Sequence, residues 1–178
     1  FGGAFILKNK ILKMENLINK VSKSPSNRRK IFFIQGESCS GKSVLSEILS
    51  QGLNAKELPG NKINKEHFFQ SLYNVENLEC LIIDDINLKL TPIAIKNLND
   101  ILFFDNLSVE MKGYPKKNVE LKHIIVNSIY TIDNLFKKLP EYKERFTDII
   151  TINSQKEFFQ FLAENNISIT EVLSPFRY

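Results

Sequence analysis

The apolar run Ile31-Phe32-Phe33-Ile34 passes through Gln35 directly into Gly36-Glu37-Ser38-Cys39-Ser40-Gly41-Lys42-Ser43. That octapeptide satisfies G-x-x-x-x-G-K-[ST] at every fixed position. Helical spacing then begins at once with Val44, Leu45, Ile48 and Leu49, and Gly52 closes it. A buried strand, a glycine-bounded loop and a helix start in this order leave few folds open. The loop wraps its backbone N–H groups around an anion, with glycine permitting close approach, and the helix aims its positive end at the same point. Residues 36–43 therefore read as a phosphate-binding loop: Lys42 reaches the β- and γ-phosphates of ATP, and the Ser43 hydroxyl ligates Mg²⁺.

A second buried strand, Leu81-Ile82-Ile83, ends in Asp84-Asp85. A rigid strand that presents a carboxylate suits a metal held against the phosphates, directly by Asp84 or through its water. Asp85 would then polarise an attacking water as general base. The plainer alternative is a pair of solvated aspartates after a strand. Thr91-Pro92 is a helix start, with threonine as cap and proline at the first helical position, and Ile95, Leu98, Ile101 and Leu102 form its inner face. Leu107 to Met111 and Val119 to Asn127 read as strands around a polar tip, Lys112 to Asn118. A helix near 131–138 and a strand at 148–152 follow. Ser154 with Glu157 is a capping box that opens a last amphipathic helix. Short apolar strands alternating with helices predict an α/β sandwich with a mostly parallel sheet flanked by helices.

Composition narrows the class. With 178 residues the chain is about one domain, and 43% hydrophobic with 25% charged residues excludes disordered and fibrous types. Two cysteines, Cys39 and Cys80, make no disulfide scaffold, suit a reducing compartment and suggest no reactive role. No apolar run approaches the ~18 residues of a membrane span, so no membrane partner is expected. Residues 1–30 read as a helical lead-in or linker, the end of an oligomerisation segment, with Ile11, Leu12, Leu17, Ile18 and Val21 at helical spacing. Ser24-Pro25-Ser26-Asn27 ends it. Arg28-Arg29-Lys30 is either a flank for DNA or a solvated basic run. His67 and His123 have no partners at metal or catalytic spacing. Phe158, Phe159 and Leu162 read as core, with packing against a neighbouring domain as the alternative. A start at Phe1 rather than Met is expected of a piece excised from a longer polypeptide.

The order of four segments resembles the superfamily 3 helicases, compact AAA+-like ATPases of small DNA viruses and plasmids. The segments are 36–43, L-I-I-D-D at 81–85, L-S-V-E-M-K-G at 107–113 and H-I-I-V-N-S at 123–128. The third, V-x-x-K-G before a basic hairpin, is especially similar to Rep replication initiators of circular single-stranded DNA viruses and related plasmids. The likeness covers about residues 31–152.

The resemblance implies an AAA+-like P-loop NTPase three-layer sandwich over residues 31–178. It implies that Asn127 hydrogen-bonds the γ-phosphate or the attacking water, with Ser128 sharing the task, since this chain reads V-N-S where many relatives read T-S-N or T-T-N. It implies that Arg145, in E-R-F-T-D-I-I-T-I, is an arginine finger given to a neighbouring subunit of a homo-oligomeric ring, usually a hexamer; a solvated arginine is the alternative. The cluster Lys112, Tyr114, Lys116 and Lys117 would grip single-stranded DNA, phosphates on the lysines and a base on the ring.

The expected activity is that of an ATP-dependent DNA helicase domain working in rolling-circle replication. An upstream nicking endonuclease domain of the same polypeptide would precede Phe1. The setting would be intracellular: the host nucleus for a eukaryotic virus, the cytoplasm for a bacterial plasmid. Two rivals stand beside it, an AAA+ loader or regulator that remodels a protein, and a catalytically silent nucleotide-binding assembly subunit. A small-molecule kinase fits less well, because no arginine-rich lid is present.

Overall fold

Side chains of the first apolar run point alternately to two sides: Ile31 and Phe33 enter one apolar cluster, Phe32 and Ile34 the other. A strand buried on both faces must lie inside a covered parallel sheet. The computed structural model, which describes residues 17–25, 28–87 and 89–168, places it there. Strand β1 (Lys30–Gln35) is flanked by β6 (His123–Ser128) and β7 (Asp148–Thr151). Strands β3 (Cys80–Asp84) and β2 (Ala55–Pro59) continue outward, giving the order β2-β3-β6-β1-β7 with every pairing parallel.

One face of the sheet is covered by α1 (Leu17–Val21), α2 (Lys42–Leu49) and α6 (Gln155–Glu164), through Ile18, Leu45, Ile48, Phe158 and Leu162. The other carries α3 (Pro92–Leu102), α4 (Ile132–Leu135) and α5 (Pro140–Lys143), through Leu98, Ile101, Ile132, Phe136 and Tyr142. Three layers result, as the alternating pattern predicts. The caps also form as expected: Ala94 N–H donates to Thr91 Oγ1 at 3.2 Å, and Glu157 N–H donates to Ser154 Oγ at 3.2 Å.

Strand β6 is inserted between β1 and β3, with Ile34 opposite Asn127 and Ile83 opposite Val126. The C-terminal ends of three strands therefore finish level, beside the start of α2. That alignment gathers Asp84, Asp85 and Asn127 at one edge of the sheet.

Four expectations change. The strand expected from Val119 to Asn127 is two. β5 (Lys117–Glu120) pairs antiparallel with β4 (Asn106–Val109) in a separate hairpin, and β6 starts again at His123 in the main sheet. Leu121, buried and donating its N–H to the Asp105 carbonyl at 2.7 Å, marks the break. Strand β2 escapes the sequence reading because it is an edge strand with only Leu58 buried, and its Pro59 is tolerated at that edge. The helix expected near 131–138 is shorter, Ile132–Leu135, and a second short helix that the pattern does not reveal opens at Pro140.

Finally, Arg28-Arg29-Lys30 is not one solvated run. Lys30 is fully buried and donates Nζ to the carbonyls of Ser24 and Pro25, while Arg29 donates to those of Ile101 and Phe104. Of the lead-in, Leu17, Ile18 and Val21 fall on or against the core; Ile11, Leu12, Ser26 and Asn27 lie outside the described residues. Among the described residues, no helix is long and apolar enough to cross a membrane.

Candidate functional site

The glycine-bounded loop leaves the end of β1, between β6 and β7, where backbones crowd. A Cβ on Gly36 would stand 1.7 Å from the Ile152 carbonyl oxygen, so no other residue fits. Its N–H donates to the Ser128 carbonyl at 3.3 Å, and the Glu37 N–H to Asn153 Oδ1 at 3.3 Å, tying the loop to the strand ends on both sides. Gly41 precedes α2 as its N-cap. Lys42 lies nearly buried with Nζ donating to the Glu37 carbonyl at 2.5 Å. Burial holds its ammonium below the ordinary lysine range, while Asp85, Cys39 and Asp84 pull it back up.

Around the helix start, Ser43 Oγ donates to Asp84 Oδ1 at 2.7 Å. The same oxygen accepts from Asn127 Nδ2 at 2.9 Å. Asn127, fully buried at the end of β6, donates its second N–H to Ser46 Oγ at 3.0 Å and accepts the Asp85 N–H on Oδ1 at 2.7 Å. The structure thus brings Ser43, Asp84, Asp85 and Asn127 together beside Lys42. Asp85 turns through a left-handed conformation (φ 62°), one that aspartate tolerates better than most residues. Ser128 is directed elsewhere: its hydroxyl donates to the Ile86 carbonyl. The Glu57 carboxyl, on β2, is held above the usual range by burial and then by the charges of Asp84 and Glu47.

Two residues of this network are invisible to motif reading. Ser46 follows the octapeptide by one helical turn and looks like an ordinary helix serine. Glu57 lies on the edge strand that the pattern does not reveal. Only the spacing of Ser43 and Ser46, three apart on one helix face, offers a signal in sequence.

Arg145 is exposed, and its Nε donates to the Leu102 carbonyl at 3.0 Å, with the guanidinium 4.9 Å from the centre of the Phe103 ring. Arg29 converges on the same helix end, donating to the Ile101 carbonyl. Both satisfy carbonyls that the last turn of α3 leaves open, where the helix dipole favours cations.

The hairpin cluster divides. Lys112 and Tyr114 are exposed at the tip. Lys116 pairs with Glu110 at 2.9 Å, each favouring the charged form of the other. Lys117 is half-buried, with Nζ donating to the carbonyls of Tyr73 and Val75 at 2.8 and 3.2 Å. Tyr73 donates in turn to the Pro115 carbonyl at 2.6 Å, clamping the tip. Two of the three lysines expected at the tip are thus engaged within the chain.

Beside the glycine-bounded loop lies a cavity of about 420 Å³, lined by residues 39–44 and by Gln155, Phe158 and Phe159 of α6. Larger clefts of about 590 and 810 Å³ run along the segment around His67 and share no residue with it.

No family model and no curated protein matches the chain. Solved structures do. The chain is similar to JCV helicase bound to a thiazolopyridinyl-phenoxyphenyl acetamide, at 14% identity and a TM-score of 0.51 over 94% of this chain and 57% of that one. It is also similar to NtrX from Brucella abortus in complex with ADP, at 14% identity and a TM-score of 0.54 over 88% of this chain and 41% of that one. The chain spans about half the length of these neighbours. The likeness establishes the fold: a parallel, helix-flanked sheet of the kind found in these two chains.

Proposed function

We propose that this chain is the ATPase domain of a Rep-like replication initiator, binding ATP with Mg²⁺ and coupling its hydrolysis to movement on single-stranded DNA. The observation that carries the reading is the convergence of Ser43, Asp84, Asp85 and Asn127 beside Lys42 at level strand ends. The donor set fits the group it would hold. One hydroxyl and one carboxylate already sit within hydrogen-bond distance of each other, and Mg²⁺ at nucleotide sites takes one or two carboxylates and otherwise waters and phosphates. When bound, the metal would offset charge on the phosphate oxygens. The loop N–H groups and Lys42 would hold the phosphates, and the cavity walled by Phe158 and Phe159 would receive the base and sugar. Asp85 would take the proton from the attacking water, leaving ADP and phosphate.

The ring, the finger role of Arg145, the upstream endonuclease domain and the DNA contact belong to the same proposal. The fold likeness to JCV helicase supports it. A second reading, an AAA+ regulator acting on a protein partner, is favoured by the engagement of Lys116 and Lys117 within the hairpin.

DNA-stimulated ATPase activity with a strand-displacement readout tests the two against each other. The helicase reading expects turnover that rises with single-stranded DNA and disappears in Lys42→Ala. DNA-independent turnover without displacement supports the regulator instead. If Arg145 acts across a subunit boundary, mixing inactive Lys42→Ala with inactive Arg145→Ala protein restores part of the activity.

A further inference from the structure

Asparagine has two N–H donors, and at Asn127 both are taken. One goes to Asp84 Oδ1 at 2.9 Å and the other to Ser46 Oγ at 3.0 Å. The amide orientation is over-determined. Its oxygen faces the Asp85 N–H, which can only donate, and its nitrogen faces a carboxylate, which when ionised can only accept. The Ser46 hydroxyl, having one proton, must accept from Asn127 and donate to the Lys42 carbonyl, where it lies at 3.0 Å. Asn127 and Ser46 are both about 1% exposed. No donor of Asn127 is left over for a phosphate oxygen.

From this closed set of bonds we infer that Ser46 and Asn127 are a positioning pair. They latch α2 to the end of β3, hold the Asp84 carboxylate against Ser43 and fix the left-handed turn at Asp85. Asn127 then acts through Asp84 and not by contact with the terminal phosphate. Ser43 and Ser46, three residues apart, grip the same carboxylate by two routes, one direct and one through the amide. Partners that orient a metal ligand are worth about 10–100-fold in metal affinity, although they never touch the metal. The inference about Mg²⁺ rests on the proposed nucleotide binding; the inference about the turn at Asp85 does not.

The test uses the whole chain carrying Ser46→Ala, with Ser46→Cys as a second variant that keeps the volume. Hydrogen exchange on the protein alone should show the Asp85 amide exchanging about tenfold faster, since its acceptor is no longer held. In binding titrations with a fluorescent ATP analogue, the Mg²⁺ concentration for half-maximal tightening should rise about tenfold, with metal-free affinity unchanged. Asn127→Ala should weaken ATP and ADP by the same factor. Wild-type exchange at Asp85 in both Ser46 variants overturns the inference, and so does an Asn127→Ala protein that loses ATP selectively over ADP. A wild-type chain that binds no nucleotide would sink the proposed function alone, because the exchange result still decides the latch.

Discussion

Ser43 Oγ donates to Asp84 Oδ1 at 2.7 Å, joining residues 41 positions apart across two elements. The contact places a hydroxyl and a carboxylate where one cation can take both, and it exists because β6 spaces β3 away from β1 by one strand. Removing the charge while keeping the shape isolates its role. Asp84→Asn should reduce Mg²⁺-dependent turnover at least as much as loss of an outer partner does, about 10–100-fold or more. Metal-free nucleotide binding should persist. Equal losses with and without Mg²⁺ in a binding titration would remove Asp84 from the metal.

The two cysteines differ in what surrounds them. Cys80 is buried at the start of β3, and burial, helped by Glu79, pushes its thiol up to about 12. Cys39 is exposed in the glycine-bounded loop. Alkylation of the native protein followed by peptide mass mapping should therefore modify Cys39 alone, because only a thiolate that solvent reaches reacts. ATP with Mg²⁺ should slow the modification. Labelling at an unchanged rate under saturating nucleotide would argue that the loop does not hold it.

Hairpin lysines should separate by function. Lys117→Ala strips donors from the Tyr73 and Val75 carbonyls and should cost about 1–3 kcal/mol of stability, read from denaturant unfolding. Lys112→Ala should leave stability unchanged and reduce the salt slope of single-stranded DNA binding by about 0.7. A DNA slope that responds to Lys117 and not to Lys112 would reverse the assignment.

His123 gives the fold a pH dependence. Its Nδ1 accepts the Lys30 N–H at 3.2 Å. Burial first, then Lys30, Lys122 and Arg29, hold it below its ordinary 6.5, against the pull of Glu79. A folded-state value lower than the unfolded one means that the unfolded chain binds more protons in between. Stability therefore falls as pH drops through 6.5 toward the lowered value. His123→Asn keeps an acceptor but cannot titrate, so it should flatten the fall in melting temperature between about pH 7.5 and 5.5. Equal falls in both proteins would assign the dependence to other groups.

Most of the fold is legible in order. The apolar runs at 31–34, 81–83 and 124–126 are buried strands because a central parallel strand must be apolar on both faces. The caps at Thr91 and Ser154 are equally plain, since a helix start is decided by three or four neighbouring residues. Strand β2 is hidden, because an edge strand with one buried residue has little pattern to show. The hairpin boundary is hidden because Val119, Leu121 and Ile124 are all buried, and nothing local says that they serve two different sheets.

The glycine-bounded loop and the paired aspartates are runs of contiguous residues, so their composition and order are plain wherever this sequence is written. Tertiary structure decides what the remaining charged and polar groups do. Lys30 is buried, Lys117 reaches carbonyls 42 and 44 residues away, Asn127 finds Ser46 across 81, and Gly60 must lack a side chain because the Asp84 carbonyl would lie 2.7 Å from it. A side chain's chemistry depends on which partners fall within about 3 Å of it. That is settled by the packing of distant segments, which local pattern does not encode.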